Sequence, residues 1–176
     1  MNQQPEASYY SQQTKRLNFV KITKDHCALW EPFFNDNPTL RFVGLENATT
    51  SPIETAKGWL EKQIERMNSR EFGQLAVYEK ESNQFVGVGG IITREINGKP
   101  EYEITYSLLS QFWGKGYATE LAMHFKDYAF EQMKIKSVIS IIHIENEASI
   151  NVALKNGMKK DIELTFMDMP VCIYRA

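Results

Sequence analysis

This chain has only two cysteines, Cys27 and Cys172, and they stand far apart. A disulfide framework or a thiolate zinc site needs clustered cysteines, so neither is expected. The three histidines, His26, His124 and His143, show no ligand spacing, and no metal is expected. No apolar run approaches the roughly twenty residues that cross a bilayer. The opening Met1-Asn2-Gln3-Gln4-Pro5-Glu6 lacks a basic stretch followed by an apolar one, so a secretory signal is not expected and the cytoplasm is the expected compartment. A surplus of positive charge is missing too. With 20 Lys+Arg against 22 Asp+Glu the net charge is −2, which leaves no global field to draw the protein to nucleic acid or an anionic membrane. Internal repeats are absent. What is present is 176 residues, 43% hydrophobic and 24% charged, the make-up of one ordinary globular domain.

Residues 1–13, rich in Gln and Ser and without periodicity, read as a flexible arm ahead of a single domain over 14–176. Alternation predicts a strand over 16–22. Thr23 then caps a helix expected over 24–34, which Asn35-Asp36-Asn37-Pro38 ends. Ser51-Pro52-Ile53-Glu54 is a helix-start signature, with Ser as N-cap, Pro in the first turn and Glu reaching back. Strands are expected over 74–78 and 85–92. Asn97-Gly98 accepts the positive φ of a two-residue hairpin turn and leads into a strand over 102–108. Ala118, Leu121, Ala122, Phe125, Ala129 and Met133 form the apolar stripe of a long helix. The nearly continuous apolar run 138–144 fits a strand buried on both faces. A short helix over 148–156 with Gly157 as its C-cap and two last strands complete the domain.

The stretch 106–119, Tyr-Ser-Leu-Leu-Ser-Gln-Phe-Trp-Gly-Lys-Gly-Tyr-Ala-Thr, joins a strand end to a helix start through a glycine turn. Gly114 and Gly116 carry no side chain, so backbone N–H groups there can converge on one point. A helix N-terminus adds unpaired N–H groups and about half a positive charge. The turn before it adds a nest of further donors. The expected ligand therefore carries phosphates. A Walker loop is excluded, because Lys115 is followed by Gly116 and not by Ser or Thr. The dinucleotide fingerprint is incomplete, because position 119 is Thr.

The remaining pattern, Gln111-x-x-Gly114-x-Gly116, resembles the acyl-coenzyme A pyrophosphate loop of the GCN5-related N-acetyltransferases (GNAT). The longer Trp113-Gly114-Lys115-Gly116-Tyr117-Ala118-Thr119-Glu120 is similar to the subgroup that contains the ribosomal-protein N-terminal acetyltransferases. A second motif, Asn146-Glu147-Ala148-Ser149, leads into a short helix ending at Gly157-Met158, again as in the family. Two departures are Ser110, where many relatives carry Pro, and Met158, where many carry Phe. The resemblance runs from about Arg16 to the C-terminus. It implies an α/β fold with a central mixed, mostly antiparallel sheet of seven strands, splayed between the fourth and fifth, and helices on both faces. It also implies acetyl-coenzyme A as co-substrate, no metal, and acetyl transfer to a primary amine by direct attack in a ternary complex. The acceptor would be a protein N-terminal α-amine or a small amine, and the protein a monomer or homodimer.

Carried onto this chain, the resemblance assigns Gln111, Trp113, Gly114, Lys115, Gly116, Tyr117, Ala118 and Thr119 to the pyrophosphate. It assigns the peptide groups of Leu108 and Leu109, freed by a bulge, to the pantetheine arm. The family binds mainly through backbone N–H groups, so the Lys115 ammonium also reads as solvated and Trp113 as a packing anchor. Asn146 has two readings, helix N-cap and ligand of the pantetheine amide or acetyl end. Ser149 is either the proton donor to the departing thiolate or an ordinary helical serine. Glu103, on one strand face with Glu101 and opposite Tyr106, is either the base acting through a water or a solvated glutamate. His143 reads as a core histidine rather than a base, and Trp30, Phe33, Phe34 and Phe42 as mostly core, with those near the end of the first helix also placed to line a substrate groove. Acceptor specificity is expected from 35–50 and from the turn at Met167-Asp168.

An α-amine is about one-tenth neutral at pH 7, against about one lysine in 2,500. The lack of one obvious catalytic base thus fits an α-amine better. Two other classes remain open, a non-catalytic acyl-coenzyme A-binding module and a protein using the loop for another nucleotide.

Overall fold

The computed structural model describes residues 5–176. Eight strands form one sheet: β1 (Ser11–Gln13), β2 (Leu17–Val20), β3 (Gln74–Glu79), β4 (Phe85–Ile96), β5 (Lys99–Leu108), β6 (Ile139–His143), β7 (Lys159–Phe166) and β8 (Met169–Arg175). Their order is β1-β2-β3-β4-β5-β6-β8-β7. Only β5 and β6 run parallel; the other neighbours are antiparallel. Helices α1 (Cys27–Trp30), α2 (Pro52–Asn68), α3 (Tyr117–Glu131) and α4 (Glu147–Lys155) cover the sheet. Alternation along β5 separates its two faces. Gln74 accepts from Trp59 Nε1 of α2 at 2.7 Å and donates to Thr105 Oγ1 at 3.0 Å. On the opposite face the Tyr106 hydroxyl donates to the Ser149 carbonyl of α4 at 3.3 Å. On that face α3 approaches β4 closely. A Cβ at Gly89 would stand 2.6 Å from Leu121 Cδ1.

The sheet has one strand more than expected. The addition is β1, inside the segment expected to be a flexible arm, of which residues 1–4 lie outside the described residues. Tyr9 is fully buried against Phe72 and Phe125. Its hydroxyl donates to the Gly73 carbonyl at 2.7 Å and accepts from the Ile91 N–H at 2.8 Å. Ser11, Gln12 and Gln13 then pair with Val20, Phe19 and Asn18. One plugged aromatic holds this polar segment down, and a single side chain produces no periodicity.

The helix expected over 24–34 is broken into a 3₁₀ turn Lys24–His26, α1, and a second 3₁₀ turn Glu31–Phe34. Pro32, without an N–H and in conflict with a preceding carbonyl, interrupts it. The start signal of α2 holds, since Glu54 Oε2 accepts from the Ser51 N–H at 3.1 Å and Ser51 Oγ at 2.6 Å. Asn97 and Gly98 have φ of 51° and 74° and close the β4–β5 hairpin.

Candidate active site

The site begins where the sheet opens. β5 and β6 share one register pair, Glu103↔Ile139, and diverge beyond it. This is the split placed between the fourth and fifth of seven strands, moved one place along by β1. Side chains replace the ladder at its apex. Ser140 Oγ donates to the Ile104 carbonyl at 3.1 Å. The Glu103 carboxylate accepts from Arg94 Nε at 2.7 Å, and the nearby Ile141 N–H favours its charged form. On its other edge β5 stays in register with β4 from Gly87↔Leu108 to Ile96↔Lys99. The bulge expected in β5 therefore produces no shift there, and divergence from β6 alone makes the opening.

At the end of β5 a 3₁₀ turn, Ser110–Phe112, leads to the glycines. This turn uses several groups expected to be free. The Leu109 N–H donates to the Val86 carbonyl at 2.9 Å, and the Leu109 carbonyl accepts from the Phe112 N–H at 2.9 Å. The Leu108 carbonyl accepts Trp113 Nε1 at 2.7 Å, and the Trp113 N–H is bonded to the Ser110 carbonyl at 3.0 Å. Trp113 thus anchors the turn while the residue stays 44% exposed. Gln111 is exposed beside it.

Gly114 and Gly116 adopt φ of 74° and 79°, the left-handed region that favours glycine. Nothing lies within 4 Å of a Cβ built on Gly114. Gly116 is the N-cap of α3 and offers no capping side chain, and the first helical bond is from the Glu120 N–H to the Gly116 carbonyl at 3.1 Å. The N–H groups of Tyr117, Ala118 and Thr119 accordingly have no partner within the helix. Lys115 turns its ammonium over the Phe112 ring, 4.9 Å from the centroid. Arg16 braces the turn. Its Nη1 donates to the Lys115 carbonyl at 2.8 Å, its Nε to Glu120 Oε2 at 2.6 Å, and its guanidinium lies over the Tyr117 ring. Glu120 also accepts from Thr14 Oγ1 and from the Arg16 N–H, and the Tyr117 hydroxyl donates to Glu79.

The split opens into a cavity of about 540 Å³. Asn146, Ser149 and Tyr106 meet at its wall. Asn146 Oδ1 accepts the Ser149 N–H at 3.1 Å, so the residue is the N-cap of α4, and its Nδ2 is not used by that cap. Tyr106, given no role by the sequence, stands beside Ser149, and burial raises its pKa well above the ordinary phenol value. It remains a proton donor throughout the neutral range. The only advance sign was an aromatic at a strand end before the glycine turn. Both regions expected to set specificity also reach the cavity, through Phe42 to Leu45 and through Phe166, Met167 and Met169.

Glu103 lines the same cavity but is not the solvated glutamate weighed from the sequence; it is buried and paired with Arg94. Burial pushes its pKa up, while Arg94 and the Ile141 N–H pull the other way. Glu101, on the same face, is held by both terminal nitrogens of Arg175, at 3.1 and 3.0 Å. His143 also lines the cavity, contrary to the core reading. Its Nδ1 accepts the Glu145 N–H at 3.1 Å, which places the proton of the neutral ring on Nε2 and leaves that nitrogen a donor. Trp30, Phe33 and Phe34 are buried core, as expected. Among the described residues no three His, Cys, Asp or Glu side chains are grouped to hold a metal, and no helix is long and apolar enough to cross a membrane.

A family model described as Acetyltransferase (GNAT) domain matches residues 16–159. The chain is 28% identical to YkkB of Bacillus subtilis over 86% of each protein. It is 25% identical to the Bacillus subtilis N-acetyltransferase YoaA over 85% of this chain and 82% of that one. An acetyltransferase from Agrobacterium tumefaciens superposes with a TM-score of 0.79 at 22% identity, over 100% of this chain and 99% of its own. RimL, a ribosomal L7/L12 α-N-protein acetyltransferase solved with coenzyme A, superposes with a TM-score of 0.75 at 17% identity, over 93% and 94%. The chain belongs to the GNAT acetyltransferase family and is an N-acetyltransferase.

Proposed function

We propose that this protein transfers the acetyl group of acetyl-coenzyme A directly to a primary amine within a ternary complex. The observation that carries this is the opening between β5 and β6, whose cavity is walled by Asn146, Ser149 and Tyr106, together with the uncapped N-terminus of α3 that follows β5 in the chain. The coenzyme supplies an activated thioester. Gly114, Lys115, Gly116, Tyr117, Ala118 and Thr119 offer backbone N–H groups to its pyrophosphate, and Gln111 and Trp113 border that loop. The peptide of Tyr106 and the Leu108 N–H, on the edge of β5 that faces β6, are offered to the pantetheine arm, with Leu109 contributing only its side chain. Asn146 Nδ2 meets the pantetheine amide or the acetyl end. The amine nitrogen forms a bond to the acetyl carbon, the C–S bond breaks, and Ser149 or Tyr106 protonates the sulfur. Glu103 acts chiefly by holding the split open, and the amine proton leaves through solvent, which suffices for an α-amine. Alignment and pre-placed donors are the main rate contributions in such a site. A panel of small amines and N-terminal peptides, incubated with acetyl-coenzyme A and read by free-thiol release, tests the proposal. Amine-dependent thiol release is expected, and coenzyme A binding without any such release would identify a non-catalytic binding module.

A further inference from the structure

The cavity has a charged end that the chemistry above does not use. Arg66 of α2 and Arg94 of β4 both line it beside Glu103, with Lys62 one turn before Arg66. Arg94 commits its Nε to Glu103 at 2.7 Å. Arg66 reaches only Glu71 Oε2 at 3.5 Å and the Thr93 carbonyl at 3.4 Å, the outer limit for a hydrogen bond. Burial and then the neighbouring Arg94 pull the Arg66 pKa below the ordinary arginine value, so the two guanidinium groups act on each other through space. The nearby acids do not fully offset them. Glu103 is shared, Glu71 is half-exposed, and Glu54 is tied to Ser51 at the far end of α2.

We propose that the amine acceptor carries a carboxylate, which docks on the guanidinium groups of Arg66 and Arg94. Planar guanidinium forks match carboxylates in a bidentate manner, and Lys62 adds long-range attraction. The inference rests on the acetyl-transfer reading, because the amine must reach Tyr106 and Ser149. Glu103 and Tyr106 are three strand positions apart and on opposite faces of β5, so amine and carboxylate stand at least about 10 Å apart. The acceptor class is therefore an extended amino acid, or a peptide N-terminus followed by an acidic side chain.

The test is calorimetry on the full chain, first with coenzyme A and then, at saturating coenzyme A, with ω-amino acids of about six to ten carbons, whose upper members span about 10 Å, and their carboxamides. At least one acid is expected to bind about tenfold or more tightly than its amide, as hydrogen bonds to a charged group require. That preference should vanish in Arg66→Met. It should shrink in Arg66→Lys, which keeps the charge and loses the fork, so a folded variant is available if the first melts. Equal binding of acids and amides, no binding of any acid, or full preference in the Arg66 variants overturns the proposal. Coenzyme A binding with no carboxylate preference defeats this inference alone, whereas failure to bind coenzyme A defeats the acetyl-transfer reading.

Discussion

Replacing Glu103 by Gln and by Ala separates a structural clasp from a catalytic base. The carboxylate accepts from Arg94 Nε at 2.7 Å and lies near the Ile141 N–H, which favours its charged form. Gln keeps an acceptor for Ile141 and a neutral one for Arg94. Charged hydrogen bonds contribute about 1.5–3 kcal/mol and neutral ones about 0.5–1.5, so Gln should cost about 1 kcal/mol, less whatever the buried charge lost in desolvation. Ala strands the Ile141 N–H at the apex of the split, about 1–3 kcal/mol. It also releases Arg94, whose side chain is 30% exposed and can be rehydrated. The sum is about 3 kcal/mol. Urea unfolding without ligand gives the stabilities, and steady-state kinetics give the rest. A clasp predicts near-normal turnover in Gln and a raised KM for acetyl-coenzyme A in Ala, because a slackened split misplaces the edge of β5. A turnover loss of about a hundredfold or more in Gln, with stability and coenzyme A affinity intact, would show that Glu103 is the base after all. An Ala variant no less stable than Gln would refute the clasp.

Gly114→Glu has steric room but a φ of 74°, so folding should lose about 1–2 kcal/mol of left-handed strain. Coenzyme A affinity should fall by far more, and calorimetry showing it unchanged would dismiss the loop assignment. Asn146→Ala should cost about 1 kcal/mol as a lost cap and also raise the KM for acetyl-coenzyme A; a lower melting temperature with normal KM leaves only the cap. Ser149→Ala and Tyr106→Phe, compared in one kinetic series, identify the sulfur's proton donor. That variant loses up to about a hundredfold in kcat at constant KM, while two unaffected variants mean the thiolate leaves unassisted. Burial tends to raise the Glu120 pKa, but bonds from Thr14 and Arg16 outweigh it and hold the value below the ordinary 4.5. Its brace on the glycine turn is then fully present above the unfolded value and lost as pH falls through the lower folded one. The melting-temperature gap between the native chain and Glu120→Gln should therefore close on acidification, and a gap constant with pH would refute that sign.

Much of this protein was legible in its sequence, because local rules act over a few residues. The box at Ser51 and Glu54, the positive-φ turn at Asn97-Gly98 and the glycines at 114 and 116 each need no distant partner. Hence the helix starts, the hairpin and the glycine turn before α3 could be placed in advance. The interruption at Pro32 was equally local but went unweighed against the apolar pattern around it. Other features depend on groups brought together from far along the chain. Tyr9 docks on Gly73 and Ile91, turning an apparent arm into a strand. Arg16 reaches the Lys115 carbonyl from the far side of the sheet order. Glu103 finds Arg94 and Ile141, and Arg66 finds Arg94, only because β4, β5, β6 and α2 converge there. A charged residue's type is written in the sequence, but its burial and partner set its pKa and role, and both are properties of the tertiary packing.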